Sequence, residues 1–220
     1  MSWDKLGPML FTATLETVYM TCWASLAAYL IGLPLGILLT VTRRGHIRPH
    51  PAFHAALGTV VNFLRSIPFI IMLAMLFPVT RAVMGSAIGT TAVIFPLVVS
   101  AFPYIARMVE GSLNEVDAGV IEAAQSMGST GAQLIFKVLL PEALPSLVSG
   151  VAISVTTILA YTALASAAGG GGLGALAIVK GLNIRKFDVM YAASLILVAL
   201  VQLITVLGTR LKRSLDHKNR

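Results

Sequence analysis

Charge is what this sequence has least of. Only 11% of its 220 residues are charged, while 57% are hydrophobic; a soluble domain carries about 25% charged residues. The mean hydropathy of +0.87 makes a bilayer, not water, the main solvent. The one cysteine, Cys22, lies inside an apolar run. That excludes a disulfide framework and a Cys-based metal site, and Cys22 reads as a small buried apolar group. No G-x-x-x-x-G-K-[ST] occurs, and GGGGLG at 169–174 lacks the lysine and follows no strand. The chain therefore has no phosphate-cradling loop of its own. His46, His50 and His54 stand at helical spacing, but no carboxylate joins them and Pro49 and Pro51 break the helix. They read as a solvated loop, with no metal bound. A cleavable signal is not expected: Met1 to Thr14 holds Asp4, Gly7 and Pro8, and the first apolar run is too long for a signal peptide. The period-two alternation of barrel strands is missing as well.

What is present is long apolar runs. A membrane-crossing helix needs about 20 mostly apolar residues. Five segments qualify: about Val18–Val41, Phe53–Val79, Val83–Ala106, Leu144–Ala168 and Val189–Thr209. With no water in the hydrocarbon, each satisfies its own backbone as a helix. The expected fold class is an all-α membrane protein of five transmembrane helices, one domain over 1–220 with a core of about 14–211.

The net charge of +7 is not spread as in a nucleic-acid binder. Basic residues sit in short segments between apolar runs, the pattern that marks a cytoplasmic face. With the N-terminus outside, Arg43, Arg44, Arg48, Arg65, Arg107, Lys137, Arg210, Lys212, Arg213, Lys218 and Arg220 are inside. Only Lys5, Arg81, Lys180, Arg185 and Lys186 are outside. The asymmetry favours N-out, C-in; the cluster Lys180, Arg185, Lys186 runs against it without a physical account. Arg65 falls in the second segment, where it either snorkels as an interfacial anchor or makes a functional contact near the cytoplasmic mouth.

Two polar connections then face opposite ways. The external one, 169–188, begins with four glycines, which permit close packing or an unwound turn, or simply a flexible helix end. The cytoplasmic one, about 108–143, holds EAAQSMGSTGAQLIFKVLLP from Glu122 to Pro141. Asp117 is a good N-cap. Val120, Ile121, Ala123, Ala124 and Met127 form an apolar stripe, and Gly128 stands where the helix should stop. Thr130 and Gln133 have capping-box spacing for a second helix, which Pro141 ends or kinks while Pro145 opens the next span. This helix–turn–helix has no basic residue between Asp117 and Phe136, unlike helices that lie on anionic lipid. A small, acidic, knob-like helix fits a groove on another protein.

Glu122-Ala123-Ala124, Gly128 after three residues, then after nine more Val138-x-Leu140-Pro141 resembles the EAA signature of bacterial ABC-importer permeases, EAA-x3-G-x9-I-x-LP. The one departure is Val138 for Ile. Within that family the chain resembles the methionine importer permeases, through FLRSIPFIIMLAMLFPVTR (63–81), PYIARMVEGSLNEV (103–116) and KVLLPEALPSLV (137–148). The resemblance implies a type I importer permease fold in a bacterial inner membrane, with the cytoplasmic segment as a coupling helix between spans 3 and 4. It implies a homodimer on two ATPase subunits, fed by an external substrate-binding lipoprotein. ATP and Mg are then used by the partner ATPase, and the chain itself binds no cofactor and is not an enzyme. The implied cargo is methionine, D- or L-; another amino acid or small solute is the alternative.

A stand-alone secondary transporter is the competing class. Such carriers place ionisable groups in their spans, and apart from Arg65 no charged residue or His lies in the interior of the five runs. A membrane anchor without a pathway is a third class. Against it stands a polar stripe on the fourth span, Thr156, Thr157, Tyr161, Thr162 and Ser166, read either as pathway lining or as helix–helix hydrogen bonding.

Overall fold

A computed structural model describes residues 3–166 and 169–215. Lys218, Arg220, the side chain of Lys5 and the Ala168 end of the fourth run lie outside the described residues. All regular structure among the described residues is helical. Four helices are long and apolar enough to cross a membrane: α1 (Trp3–Thr42), α5 (Ile94–Asn114), α9 (Leu144–Ala165) and α11 (Phe187–Leu215). A fifth span exists only if α2 (Pro51–Arg65) and α3 (Phe69–Met75) are taken together.

Three boundaries depart from the hydropathy reading. The first helix starts fifteen residues before Val18, at Trp3, and at 1.5 Å per residue is about 60 Å long. The second run is not one helix. It breaks at Ser66-Ile67-Pro68, with Pro68 as N-cap of α3, and a short α4 (Phe77–Met84) follows. Proline has no N–H and disfavours helix in the residue before it. Arg65 is the exposed last residue of α2, at the break. The third run is cut by Gly85 at φ 75 and Gly89 at φ 111, so its helix begins at Ile94 and continues beyond Ala106 to Asn114. Hydropathy cannot see a backbone reversal between two apolar stretches.

The described chain falls into two compact units. One comprises 1–27, 67–101 and 155–206; the other 28–66, 102–154 and 207–220. The first has a core of Leu6, Ala13, Leu173, Leu176, Val189 and Ala193. The second packs Leu39, Val61 and Ala106 together. In that second unit Gly32 and Gly36 form a small-x-x-x-small pair on α1. A Cβ on Gly36 would stand 2.6 Å from the Ala106 carbonyl oxygen, and one on Gly32 would stand 2.9 Å from that of Phe102. The backbones of α1 and α5 thus touch, which only glycine permits. Cys22 is exposed on α1, not buried: the apolar run is one face to the chain and one face outward.

Candidate coupling and pathway sites

The cytoplasmic connection is built from local signals. Asp117 caps α6 (Ala118–Ser126), its Oδ1 accepting from the Gly119 N–H at 2.7 Å, a contact worth about 1 kcal/mol. The helix ends at Met127, and Gly128 turns the chain at φ 78. Nothing lies within 4 Å of where a Cβ would sit on Gly128. Conformation, not space, requires glycine there. Thr130 then opens α7 (Gly131–Gln133) with a reciprocal capping box: its hydroxyl accepts from the Gln133 N–H, and its own N–H donates to Gln133 Oε1 at 2.8 Å.

Pro141 does not stop this second helix. Residues Leu134–Leu139 relax into a π-helical stretch, followed by α8 (Leu140–Glu142) and, after a turn at Ala143, by α9. A proline clashes with the carbonyl four residues back, and widening the turn is one way to relieve it. The π stretch packs on α6, and its Leu134 and Leu139 are buried. Ser146 Oγ donates to Ser112 Oγ at 3.0 Å, so the two ends of the connection are tied to each other. Pro141 and Glu142 border a cleft of about 210 Å³ that also meets Glu115 and Lys212.

The apolar stripe of α6 divides in two. Ala124 is buried at 5% exposure and Ile121 half-buried, both turned to the chain itself. Val120, Ala123 and Met127 are exposed, Met127 at 80%. Their i, i+3, i+7 spacing puts them on one outward face, with Glu122 exposed beside it. In the chain alone Ala123 is therefore exposed while Ala124 packs against its own hairpin. Val138 and Leu140 are half-buried and Pro141 exposed, so the C-terminal half of the motif mainly shapes the hairpin that holds α6.

The polar residues of α9 also separate. At about 100° per residue, Thr157 and Tyr161 lie within about 40° of each other, while Thr162 and Ser166 lie on another face. Thr162 is buried and donates to the Leu159 carbonyl at 2.7 Å; Ser166 is buried too. Within this chain both side chains are packed inside. Thr156, Thr157 and Tyr161 are half-buried. The Tyr161 ring stacks on Phe69 at 4.7 Å with 1° between planes.

Three charged residues were missed as structural centres. Arg107 is a three-way clamp: Nη1 to Glu110 Oε2 at 2.6 Å, Nε to Asn62 Oδ1 at 3.1 Å, Nη2 to the Gly58 carbonyl at 2.9 Å. It ties α2 to α5 about two turns before α5 ends at Asn114. The i, i+3 spacing of opposite charges at 107 and 110 was the available signal; ending the third span at Ala106 hid it. Glu16 was hidden by starting the first span at Val18. Its carboxylate accepts from the Gly172 N–H at 2.6 Å, and Thr17 Oγ1 accepts from Leu173 N–H at 2.9 Å. Together they cap α10 (Gly172–Ala175), whose own N-cap Gly171 offers no side chain.

That capping makes the glycine run a close-packed element, not a mobile one. A Cβ on Gly171 would meet Glu16 Oε2 at 2.5 Å, one on Gly170 the Ala165 carbonyl oxygen at 2.9 Å, and one on Gly174 the Ala163 Cα. Among the described residues no group of three or more His, Cys, Asp or Glu side chains could hold a metal ion.

Comparison with known proteins follows this geometry. Residues 32–220 match the family described as binding-protein-dependent transport system inner membrane component. The chain is 43% identical over 210 residues to the probable D-methionine transport system permease protein MetI of Vibrio cholerae, covering 96% of this chain and 93% of that one. It is 40% identical over 209 residues to the methionine import system permease protein MetP of Bacillus subtilis, covering 95% and 94%. It superposes on a chain of the MetNI methionine ABC transporter, solved in inward-facing conformations, with a TM-score of 0.96 and 42% identity, covering 99% of this chain and 100% of that one.

Proposed function

Because the chain belongs to the family of binding-protein-dependent transport system inner membrane components, we propose that it is the permease subunit of an ATP-driven methionine importer of a bacterial inner membrane. Full-length identity of 40–43% to methionine permeases supports the cargo. The chain acts as one permease domain. It pairs with a second copy, two ATPase subunits and an external substrate-binding protein, and ATP and Mg are handled by the ATPase. Its N-terminus is external and its C-terminus cytoplasmic, since that orientation puts Arg43, Arg44, Arg48, Lys137 and the basic tail inside.

The observation that carries the coupling role is the outward face of α6. Val120, Ala123 and Met127 are exposed on a short helix whose other face is buried in its own hairpin. A rigid knob with an apolar tip suits a groove on a partner. Force applied to it passes through the Ser112–Ser146 tie to the ends of α5 and α9. ATP-driven closure of the ATPase pair draws the two knobs together and switches the spans between inward-open and outward-open. Thr157 and Tyr161 are the residues of the α9 stripe left to line the pathway. An indole at Thr157 (Thr157→Trp) is expected to slow methionine uptake while leaving the assembled complex and its ATP hydrolysis intact. Normal uptake in that variant would move the pathway elsewhere. Accessibility of single cysteines in intact cells tests the orientation. With Cys22→Ser as background, an impermeant thiol reagent should label Leu182→Cys and spare Ser126→Cys.

A further inference from the structure

Lys180, Arg185 and Lys186 oppose the charge asymmetry of the rest of the chain. They belong to a segment that follows α10: a π-helical stretch Leu176–Asn183, then a turn into α11. Up to Asp188 at the head of α11, two kinds of side chain dominate its exposed surface, with Asn183 as the one neutral polar exception. Ile178, Val179, Leu182, Ile184 and Phe187 are large and apolar, with Ile184 at 58% exposure, and the three basic residues are interleaved with them. Exposed apolar groups alternating with cations are what an interfacial element presents to a membrane surface.

The same segment forms one wall of a cleft of about 490 Å³ whose other wall is the beginning of α1. Met9, Ala13, Leu176 and Val179 make it predominantly apolar, and its two ionisable groups are Glu16 and Lys180. Glu16 is engaged at one end by the Gly172 N–H. Lys180, about two turns further along the chain, stands away from that end and is exposed. The cleft is thus an apolar trough with a cation at its mouth and its carboxylate occupied. A second copy of this chain is a poor occupant, because it would set the same cations against themselves.

We propose that this cleft holds an anionic phospholipid, one acyl chain lying along the trough and the headgroup phosphate at Lys180, with Arg185 and Lys186 adding to the local positive potential. The site rests on membrane placement alone and needs neither the methionine cargo nor the coupling role. It gives the outer basic cluster a purpose that the transport reading leaves without one: it holds the N-terminal part of α1 and the capped glycine run together from the lipid side.

The test is native mass spectrometry of the intact transporter in neutral detergent, titrated with phosphatidylglycerol or phosphatidylcholine. Phosphatidylglycerol should bind saturably and phosphatidylcholine more weakly. Lys180→Gln should weaken the anionic lipid about fivefold, at roughly 1 kcal/mol per basic residue near a membrane surface. Arg213→Gln, an exposed cation of α11 outside the cleft, should leave the tight binding unchanged. Ala175→Phe, which fills the trough without touching charge, should also reduce it. The proposal is overturned if both lipids bind alike, if Arg213→Gln weakens binding as much as Lys180→Gln, or if Lys180→Gln keeps the lipid but loses the external binding protein.

Discussion

The two polar connections of the chain use the same residue for opposite ends. In 117–143, Gly128 stands in open space and is required for its backbone angle alone; in 169–174, Gly169 and Gly172 share that positive φ, and there other atoms also leave no room for a Cβ. The first connection keeps its apolar tip, Val120, Ala123 and Met127, outside. The second is turned inward and capped by Glu16 and Thr17 of α1. One leaves an apolar face outside, the other holds the chain to itself. Substitutions should therefore separate: in the second they unfold, while on the outward face and at the turn of the first they uncouple.

The largest effect is expected at the root of the first connection. Arg107→Ala leaves Glu110, with a side chain only 12% exposed, as an uncompensated carboxylate. Breaking a fully buried pair costs about 3–5 kcal/mol; this one is part-buried, so a loss of about 3 kcal/mol is expected, and the detergent-solubilised protein should melt markedly lower. The paired substitution Arg107→Met with Glu110→Leu should recover much of the loss. Next is Gly174→Ala. The added Cβ meets the Ala163 backbone, and overpacking of this kind costs about 1–3 kcal/mol; folded yield should fall. Smaller again is Gly128→Ala, at about 1–2 kcal/mol for a side chain in the left-handed region. Its melting should fall by only a few degrees, but transport should drop because the α6 turn is displaced. Equal losses of folded protein in Gly128→Ala and Gly174→Ala would erase the distinction between the connections.

Much of this was legible because it depends on near neighbours. Asp117, Gly128, Thr130 and Gln133 announce their caps within a few residues, and each cap is where those residue types put it. The motif from Glu122 to Pro141 has a spacing that few unrelated chains share. What could not be read depends on distant contacts. Nothing local to Ala123 and Ala124 says that one faces out and the other in; that is decided by the π stretch with Leu134 and Leu139. Nothing in the four glycines says that Glu16, far away in the chain, occupies the space beside them. Span boundaries failed where apolar residues continue through a turn, at Ser66–Pro68 and Gly85–Val93.

The adjacent alanines offer the most direct measurement of the central claim. Ala123→Trp and Ala124→Trp each carry the same added bulk on the same helix, one outward and one inward. The reading is co-purification of the ATPase with the permease, alongside melting of the permease alone. Ala123→Trp is expected to keep the wild-type melting temperature and lose the ATPase, with docking weakened by about 2–4 kcal/mol, or roughly 30- to 900-fold. Ala124→Trp is expected to lower the melting temperature itself. Full ATPase recovery with Ala123→Trp would contradict the account: the exposed face of α6 would then touch no partner groove.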